Sequence, residues 1–290
     1  MTKLYEKLFK SCPSDGEIKK GLKKIYTGIS GTHDRKTLMD ILGAIDLTSL
    51  NTTDNKSSIL QLTGKINSFS ARYTNIPCVA AICVYPNFVP LVKEKLKARN
   101  VKIAAVAGGF PTSQTFKSIK IAECKMATDA GADEIDFIFN VGAFLGNDYQ
   151  TVAEEIREIK SAIGNSTLKV IIETGLLNSY ELIFNASMIA MDAGADFIKT
   201  STGKISVSAT PEFVFVICRA ISVFYNETGI RVGIKPSGGI AISKDAMVYY
   251  NIIKTILGPE WLNPSFFRIG SSRLANDVLS EIIGSRADYF

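Results

Sequence analysis

The chain of 290 residues has one histidine, His33, and one tryptophan, Trp261. A single histidine leaves no room for a His-based catalytic triad or a multi-His metal site within one chain. The five cysteines, Cys12, Cys78, Cys83, Cys124 and Cys218, are scattered, odd in number and without CxxC spacing. That pattern argues against a disulfide frame or a zinc site and for reduced intracellular thiols. No apolar run reaches membrane-spanning length. The N-terminal MTKLYEKLFKSCPSDGE has neither the apolar core of a secretory signal nor the acid-poor composition of a transit peptide. The expectation is therefore a cytoplasmic protein. A net charge of +5 favours anionic ligands slightly and is too small to imply nucleic acid.

Apolar segments carry the fold signal, at 46% hydrophobic and 21% charged residues. From residue 40, short apolar runs alternate with helical stretches. The runs are Ile41–Asp46, Cys78–Tyr85, Val101–Ala107, Glu134–Asn140, Leu168–Thr174, Phe197–Thr200, Arg231–Ile234 and Phe266–Ile269. Near-continuous apolar strands indicate a parallel sheet covered on the outside. Eight βα units in about 250 residues predict a (β/α)8 TIM barrel. The competing doubly wound sheet lacks its GxGxxG after the first strand. An Ala-Gly-Ala-Asp echo at 130–133 and 193–196 fits helix stops before strands four and six. Residues 1–36 are basic and patchily helical, with Leu4, Leu8, Leu22, Ile25 and Tyr26 as apolar points. They are expected to be an N-terminal helical extension of a 37–290 barrel domain, packed on it or on another subunit.

Two strands end in lysine before small-residue loops: Ala195–Lys204 with Lys199, and Val232–Gly239 with Lys235. A lysine in a core strand is costly unless something uses it. Polar groups at the C-terminal ends of barrel strands converge on one cup. These would be Asp46 and Thr48, Cys83 and Tyr85, Asp136 and Asn140, Lys169 and Glu173, Lys199, Ser201 and Thr202, Lys235 and Ser237, then Ser271 and Ser272. Alternation puts Lys169 with Glu173, Lys199 with Ser201, and Glu134 with Asp136, leaving Asp133 opposite. The bland reading is a buried ion-pair network, a weak stabiliser once desolvation is counted. The chemical reading is amine catalysis. A free lysine is unprotonated in roughly one part in a few thousand at pH 7. A neighbouring cation and burial lower its pKa, and bringing it to about 7 takes ~4–5 kcal/mol. Such an amine beside carboxylates can form a Schiff base and move protons. The residues alone do not choose between Lys199 and Lys235.

Gly238-Gly239 and Gly270-Ser271-Ser272 follow strands seven and eight, where barrels commonly hold phosphate, with Arg273 or Lys204 available to add charge. Simple tight turns are the plainer reading of either loop. Ser201-Thr202-Gly203-Lys204 lacks the glycine spacing of a P-loop. Cys83 reads as a small apolar filler that could also line the cup, since no histidine activates it. Asp133, Glu134 and Asp136 do not share a face, so no metal is expected. Trp261 reads as packing.

Over about residues 40–290 the chain resembles the 2-deoxy-D-ribose-5-phosphate aldolases. The motifs are Asp46-Leu47-Thr48, Ala81–Pro86, Ala132–Asp136, Leu168–Thr174, Ala195–Lys204, Lys235–Gly239 and Arg268–Ser272. The resemblance implies a cofactor-free class I aldolase on a (β/α)8 barrel. Such enzymes reversibly cleave 2-deoxyribose 5-phosphate to acetaldehyde and glyceraldehyde 3-phosphate. It implies Lys199 as Schiff-base nucleophile, Lys235 as the cation lowering its pKa, and Asp136 as a proton-relay acid/base working with water. Asp46, Thr48, Cys83, Lys169, Thr202, Lys204, Gly238, Gly239, Gly270, Ser271 and Ser272 are the expected substrate-binding residues. Phosphosugar and aldehyde are the expected small-molecule partners, in a homodimer, with no nucleic acid and no membrane. The phosphate loop departs from the family's Gly-Ala-Ser-Ser: Ser272 takes the first serine's place and Arg273 the second's. Some relatives end in a tyrosine that helps shuttle the proton, whereas here Tyr289 is followed by Phe290.

Overall fold

The computed structural model describes residues 8–29 and 34–290, so Leu4 and His33 lie outside the described residues. Eight short strands carry the architecture: β1 (Ile45–Thr48), β2 (Ala81–Val84), β3 (Lys102–Ala107), β4 (Glu134–Ile138), β5 (Thr167–Ile171), β6 (Phe197–Lys199), β7 (Gly233–Lys235) and β8 (Ile269–Ser271). From β1 to β7 each pairs in parallel with its sequence neighbours, and β1 also pairs with β8. Bridges Ile234–Phe267 and Ser237–Gly270 join β7 to β8 and close the ring. The result is a (β/α)8 barrel, as eight apolar runs alternating with helices predict.

Several helices start where a capping residue meets an apolar face. Asp148 accepts from the Thr151 amide at 3.1 Å to open Tyr149–Ile163. Thr210 accepts from Phe213 at 3.2 Å to open Pro211–Thr228, with Pro211 in the first turn. The repeated Gly-Ala-Asp does more than stop helices. Asp133 Oδ2 takes the Ile103 amide at 2.9 Å, and Asp196 Oδ2 takes the Leu168 amide at 2.7 Å. Each aspartate thereby ties its strand to the start of the preceding one.

Strand ends differ from expectation: β2 starts at Ala81, β4 and β5 end at Ile138 and Ile171, β7 runs Gly233–Lys235, and β1 and β8 shift for reasons the structure shows. Residues 41–43 belong to the helix Arg35–Gly43, capped by Asp34, and β1 starts only at Ile45. Its Leu38, Ile41 and Leu42 are buried at helical spacing, which over six residues looks like a strand. Strand β8 begins at Ile269 rather than Phe266, because Pro264 to Phe267 turn on Asn263. Trp261 is buried, its indole N–H donating to the Val232 carbonyl at 2.9 Å. The helix Asp15–Gly28 buries Ile18, Leu22 and Ile25 and packs against Pro211–Thr228 and Ser243–Ile256, whereas Tyr26 is exposed. No helix among the described residues is long and apolar enough to cross a membrane.

The barrel interior is divided. Ala81 and Cys83 from β2 and Ala104 and Val106 from β3 form a small apolar wall with Leu50. Strands β4 to β7 face it with charged side chains. A second ionic pair lies outside the barrel. Lys120 donates to Glu155 at 2.8 Å and to Ser113 at 2.7 Å, all three being buried. This pins the loop after β3. Lys120→Met should leave Glu155 an uncompensated buried carboxylate and cost ~3–5 kcal/mol. Urea unfolding monitored by circular dichroism reads that loss as a lower midpoint at unchanged slope.

Candidate active site

The register of the strands assembles the site. Lys199 and Lys235 are direct partners across β6 and β7, and Asp136 and Lys169 are partners across β4 and β5. The C-terminal position of both lysines sends their side chains into the barrel. Lys199 Nζ donates to Asp136 Oδ2 at 2.7 Å, and Lys235 Nζ donates to the same oxygen at 2.6 Å. The two lysine nitrogens therefore share one carboxylate oxygen. Lys169 donates to Asp136 Oδ1 at 3.0 Å, and Lys235 also donates to Asp46 Oδ2. Glu134 and Arg268 complete the cluster. Arg268 reaches Asp46 Oδ1 at 2.6 Å and Glu134 Oε1 at 2.7 Å, and Glu134 pairs with Lys169.

All seven charged groups are buried. For Asp46 and Asp136, burial is the strongest influence and favours the neutral acid. The surrounding cations outweigh it, holding both carboxyls below their usual range. Lys235 and Lys169 are the mirror case. Burial pushes toward the neutral amine, the carboxylates of Asp136 and its neighbours prevail, and both pKa values are raised. Lys235 thus stays cationic throughout the physiological range. The Cys83 thiol is pushed up by burial and stays protonated, 3.9 Å from Asp136 Oδ2.

A cavity of about 260 Å³ opens over this cluster at the C-terminal ends of the strands. Of the seven charged groups, Lys199 alone lines it. Lys235, Lys169, Asp46, Asp136 and Cys83 are sealed beneath, with no solvent exposure. The expected residues Thr48, Thr202, Lys204, Gly238, Gly239, Gly270, Ser271 and Ser272 all line the cavity, and Arg273, Leu50 and Asn51 join them. Its lining holds three basic side chains, Lys199, Lys204 and Arg273, and no carboxylate.

Local geometry explains these choices. A Cβ on Gly270 would come within 2.8 Å of Ser237 Cβ and 3.1 Å of Lys235 Cε. Only glycine there lets β8 pass beside the lysine. Gly238 and Gly239 have φ of +85° and +78°, turning the chain after β7 back along the cavity wall. Ser271 is occupied: its hydroxyl donates to the Ile240 carbonyl at 2.7 Å and accepts from the Arg273 and Leu274 amides. Its role there is to shape the loop at the start of the helix Leu274–Ile283, leaving Ser272 as the exposed hydroxyl. Thr202 gives its hydroxyl to Glu173, whose carboxyl is raised chiefly by burial, and accepts from the Lys204 amide at 3.1 Å. Glu173 does not follow Lys169 into the cluster. Strand β5 ends at Ile171, and the chain turns at Glu173 with φ +48°. Ser201 similarly faces Thr174 rather than the cavity, their hydroxyls 3.4 Å apart. Lys204 Nζ donates to the Leu50 carbonyl at 2.5 Å, spanning the cavity rim.

Tyr289 lies away from the cup. Its hydroxyl donates to the Lys65 carbonyl at 2.6 Å, and its ring packs on Phe69 and Tyr73. Among the described residues no group of His, Cys, Asp and Glu is arranged to hold a metal ion.

Residues 41–249 match the family model described as DeoC/LacD family aldolase. The chain belongs to the DeoC/LacD aldolase family. It is 40% identical over 255 residues to the human deoxyribose-phosphate aldolase, covering 84% of this chain and 80% of that protein. The bovine deoxyribose-phosphate aldolase is 41% identical over the same shares. Among solved structures, one described as QR15, an aldolase, superposes with a TM-score of 0.67 at 30% identity, over 84% of this chain and 98% of that one. A tetrameric deoxyribose phosphate aldolase from Aeropyrum pernix shares the fold, with a TM-score of 0.65 at 23% identity over 92% and 98% of the two chains. The cluster and the cavity thus belong to an aldolase barrel.

Proposed function

We propose that this protein reversibly cleaves 2-deoxy-D-ribose 5-phosphate to acetaldehyde and D-glyceraldehyde 3-phosphate through a Schiff base on Lys199. The observation that carries the assignment to Lys199 is its position: it is the one amine of the ionic cluster that lines the cavity. Lys235 is its partner in register and is buried beneath.

In this reading the neutral Lys199 amine attacks C1 of the open-chain aldehyde. Proton transfer and loss of water from the carbinolamine give the imine. The C3 hydroxyl then gives up its proton, the C3–O bond becomes a carbonyl, and the C2–C3 bond breaks. Its electron pair flows into the iminium, leaving an enamine on Lys199 and releasing glyceraldehyde 3-phosphate. Protonation at C2 and hydrolysis release acetaldehyde and restore the amine. Asp136, in contact with Lys199, is the proton carrier acting with water. Lys235 supplies the positive charge that disfavours a proton on Lys199. Asp46 and Lys169 hold this arrangement from below, and Thr48 and Thr202 stand on the cavity wall where the sugar would lie. No cofactor or metal enters any step.

The phosphate would sit among Gly238, Gly239, Ser272 and the start of the helix Leu274–Ile283, flanked by Lys204 and Arg273. Main-chain N–H groups at a helix start and two cations suit a dianion. Arg273→Ser should raise KM for deoxyribose 5-phosphate about tenfold, the loss of one charge-assisted contact. Turnover of unphosphorylated 2-deoxyribose should stay the same. Equal effects on both substrates would remove Arg273 from phosphate recognition. We place the enzyme in the cytoplasm, as a homodimer, in deoxynucleoside catabolism.

The decisive experiment is reductive trapping. Borohydride with acetaldehyde should add two carbons at Lys199, located by peptide mass spectrometry. An adduct on Lys235, or none, refutes the scheme. Acetaldehyde compared with dihydroxyacetone phosphate as donor separates this activity from other phosphosugar aldolases on the same barrel. Ligand-induced stabilisation without imine formation would mark a non-catalytic binding protein.

A further inference from the structure

Neither Glu134 nor Arg268 lines the catalytic cavity, yet both are built into the ionic cluster. Arg268 is held on three sides. Its Nε donates to the Pro264 carbonyl, Nη1 to Asp46 Oδ1 at 2.6 Å and Glu134 Oε2 at 3.1 Å, and Nη2 to Glu134 Oε1 at 2.7 Å. This fork fixes both oxygens of Glu134 and one oxygen of Asp46. The other oxygen of Asp46 is thereby left facing Lys235. Arg268 also lines a separate cavity between the N-terminal ends of the strands, beside Val79, Ala80 and Lys102. Its hold on the cluster therefore comes from the barrel's closed end.

We propose that Glu134 and Arg268 are a positioning pair: they fix the orientation of Asp46 and set the charge surplus that leaves Lys199 the free amine. The inference rests on Lys199 being the Schiff-base residue. Four cations, Lys169, Lys199, Lys235 and Arg268, meet three carboxylates, Asp46, Glu134 and Asp136. A buried cluster with one surplus positive charge is relieved by releasing one proton. The surplus falls on the least compensated ammonium. Lys169 meets three carboxylates and Lys235 two, but Lys199 meets only Asp136. Of the remaining groups near this space, Glu173 after β5 lies within electrostatic reach of Lys199, but burial raises its carboxyl toward the neutral acid and its oxygens are held by Thr202. β2 contributes the neutral thiol of Cys83, and β3 contributes Ala104 and Val106.

Arg268 and Glu134 carry opposite charge, so removing them should move activity in opposite directions along the pH axis. Arg268→Met reduces the count to three against three. The acidic limb of kcat/KM, which reports the free enzyme, should move up by about one pH unit. Glu134→Gln keeps the shape and adds to the surplus, and the limb should move down by a similar amount. Arg268→Lys keeps the charge and loses the fork: the limb should stay in place while kcat falls severalfold. A purely structural role would lower activity in all three variants and leave the limbs where they are.

The pair is refuted if the Glu134→Gln limb fails to move down, an outcome that decides the matter even if Arg268→Met does not fold. It is refuted equally if Arg268→Met folds and its limb does not rise. Trapping with acetaldehyde on the same proteins separates the two levels. No adduct at Lys199 in the wild type overturns the Schiff-base reading. An adduct at Lys199 with unmoved limbs overturns the pair alone.

Discussion

Lys199→Leu should reduce aldol cleavage by at least ~10⁴-fold and abolish the borohydride adduct, with the fold intact. The cavity offers no second amine in the right place. Lys204 also lines it, but its ammonium is tied to the Leu50 carbonyl and makes no contact with Asp136. Lys235 contacts Asp136 but is sealed from the cavity. Leucine fills most of the space of the lysine stem, and without Lys199 the cluster holds three cations and three carboxylates. The substitution therefore leaves no uncompensated buried charge, which is what makes the loss of one partner of a buried pair costly. The melting temperature should therefore be unchanged or higher, which separates lost chemistry from lost structure. Residual activity that rises with pH would mean another amine forms the imine. Raising the pH should do nothing for Lys199→Leu.

The barrel was legible because its signal is repeated: eight apolar runs, each followed by a helical stretch. The errors fell where one element is too short to show a period. Leu38, Ile41 and Leu42 bury a helical face over a nine-residue helix, and the apolar run through Ile45 hides the change from helix to strand. Within the site, alternation correctly put Glu134 and Asp136 on one face. It failed for Lys169 with Glu173, because β5 stops two residues before Glu173 and the backbone turns left-handed there. Depth was the other missing quantity. Cys83, Asp46 and Lys169 sit on the right strands, but nothing in their spacing says that they lie beneath the cavity floor rather than on its wall. Depth also separates Lys199, which lines the cavity, from Lys235 beneath it, a distinction that strand position alone left open. Arg268 fell inside the apolar run Phe266–Ile269 and the motif Arg268–Ser272, with no role of its own. Its grip on Asp46, 222 residues away in the chain, needed the closure of β8 onto β1.

Lys235→Leu should lower kcat/KM at pH 7 by about 10²–10³-fold, with much of the loss recovered near pH 9–10. Lys235 lies outside the cavity and contacts no substrate in the proposed scheme, so its contribution is charge. Its own pKa is raised by Asp136 and Asp46 against the opposing pull of burial, and it remains positive wherever the enzyme works. Without it the cluster loses its surplus, and Asp136 Oδ2 no longer divides its charge between two ammonium groups. The remaining Lys199–Asp136 pair then favours a proton on Lys199, and only a rise in pH removes it. The adduct with acetaldehyde should still form at Lys199, slowly at pH 7 and faster in alkali. Lys199→Leu and Lys235→Leu are thus distinguished by pH alone: the first is insensitive to it, the second is rescued. If alkali fails to restore Lys235→Leu while the protein stays folded, Lys235 acts by direct proton transfer, and the electrostatic account of its place beneath Lys199 is wrong.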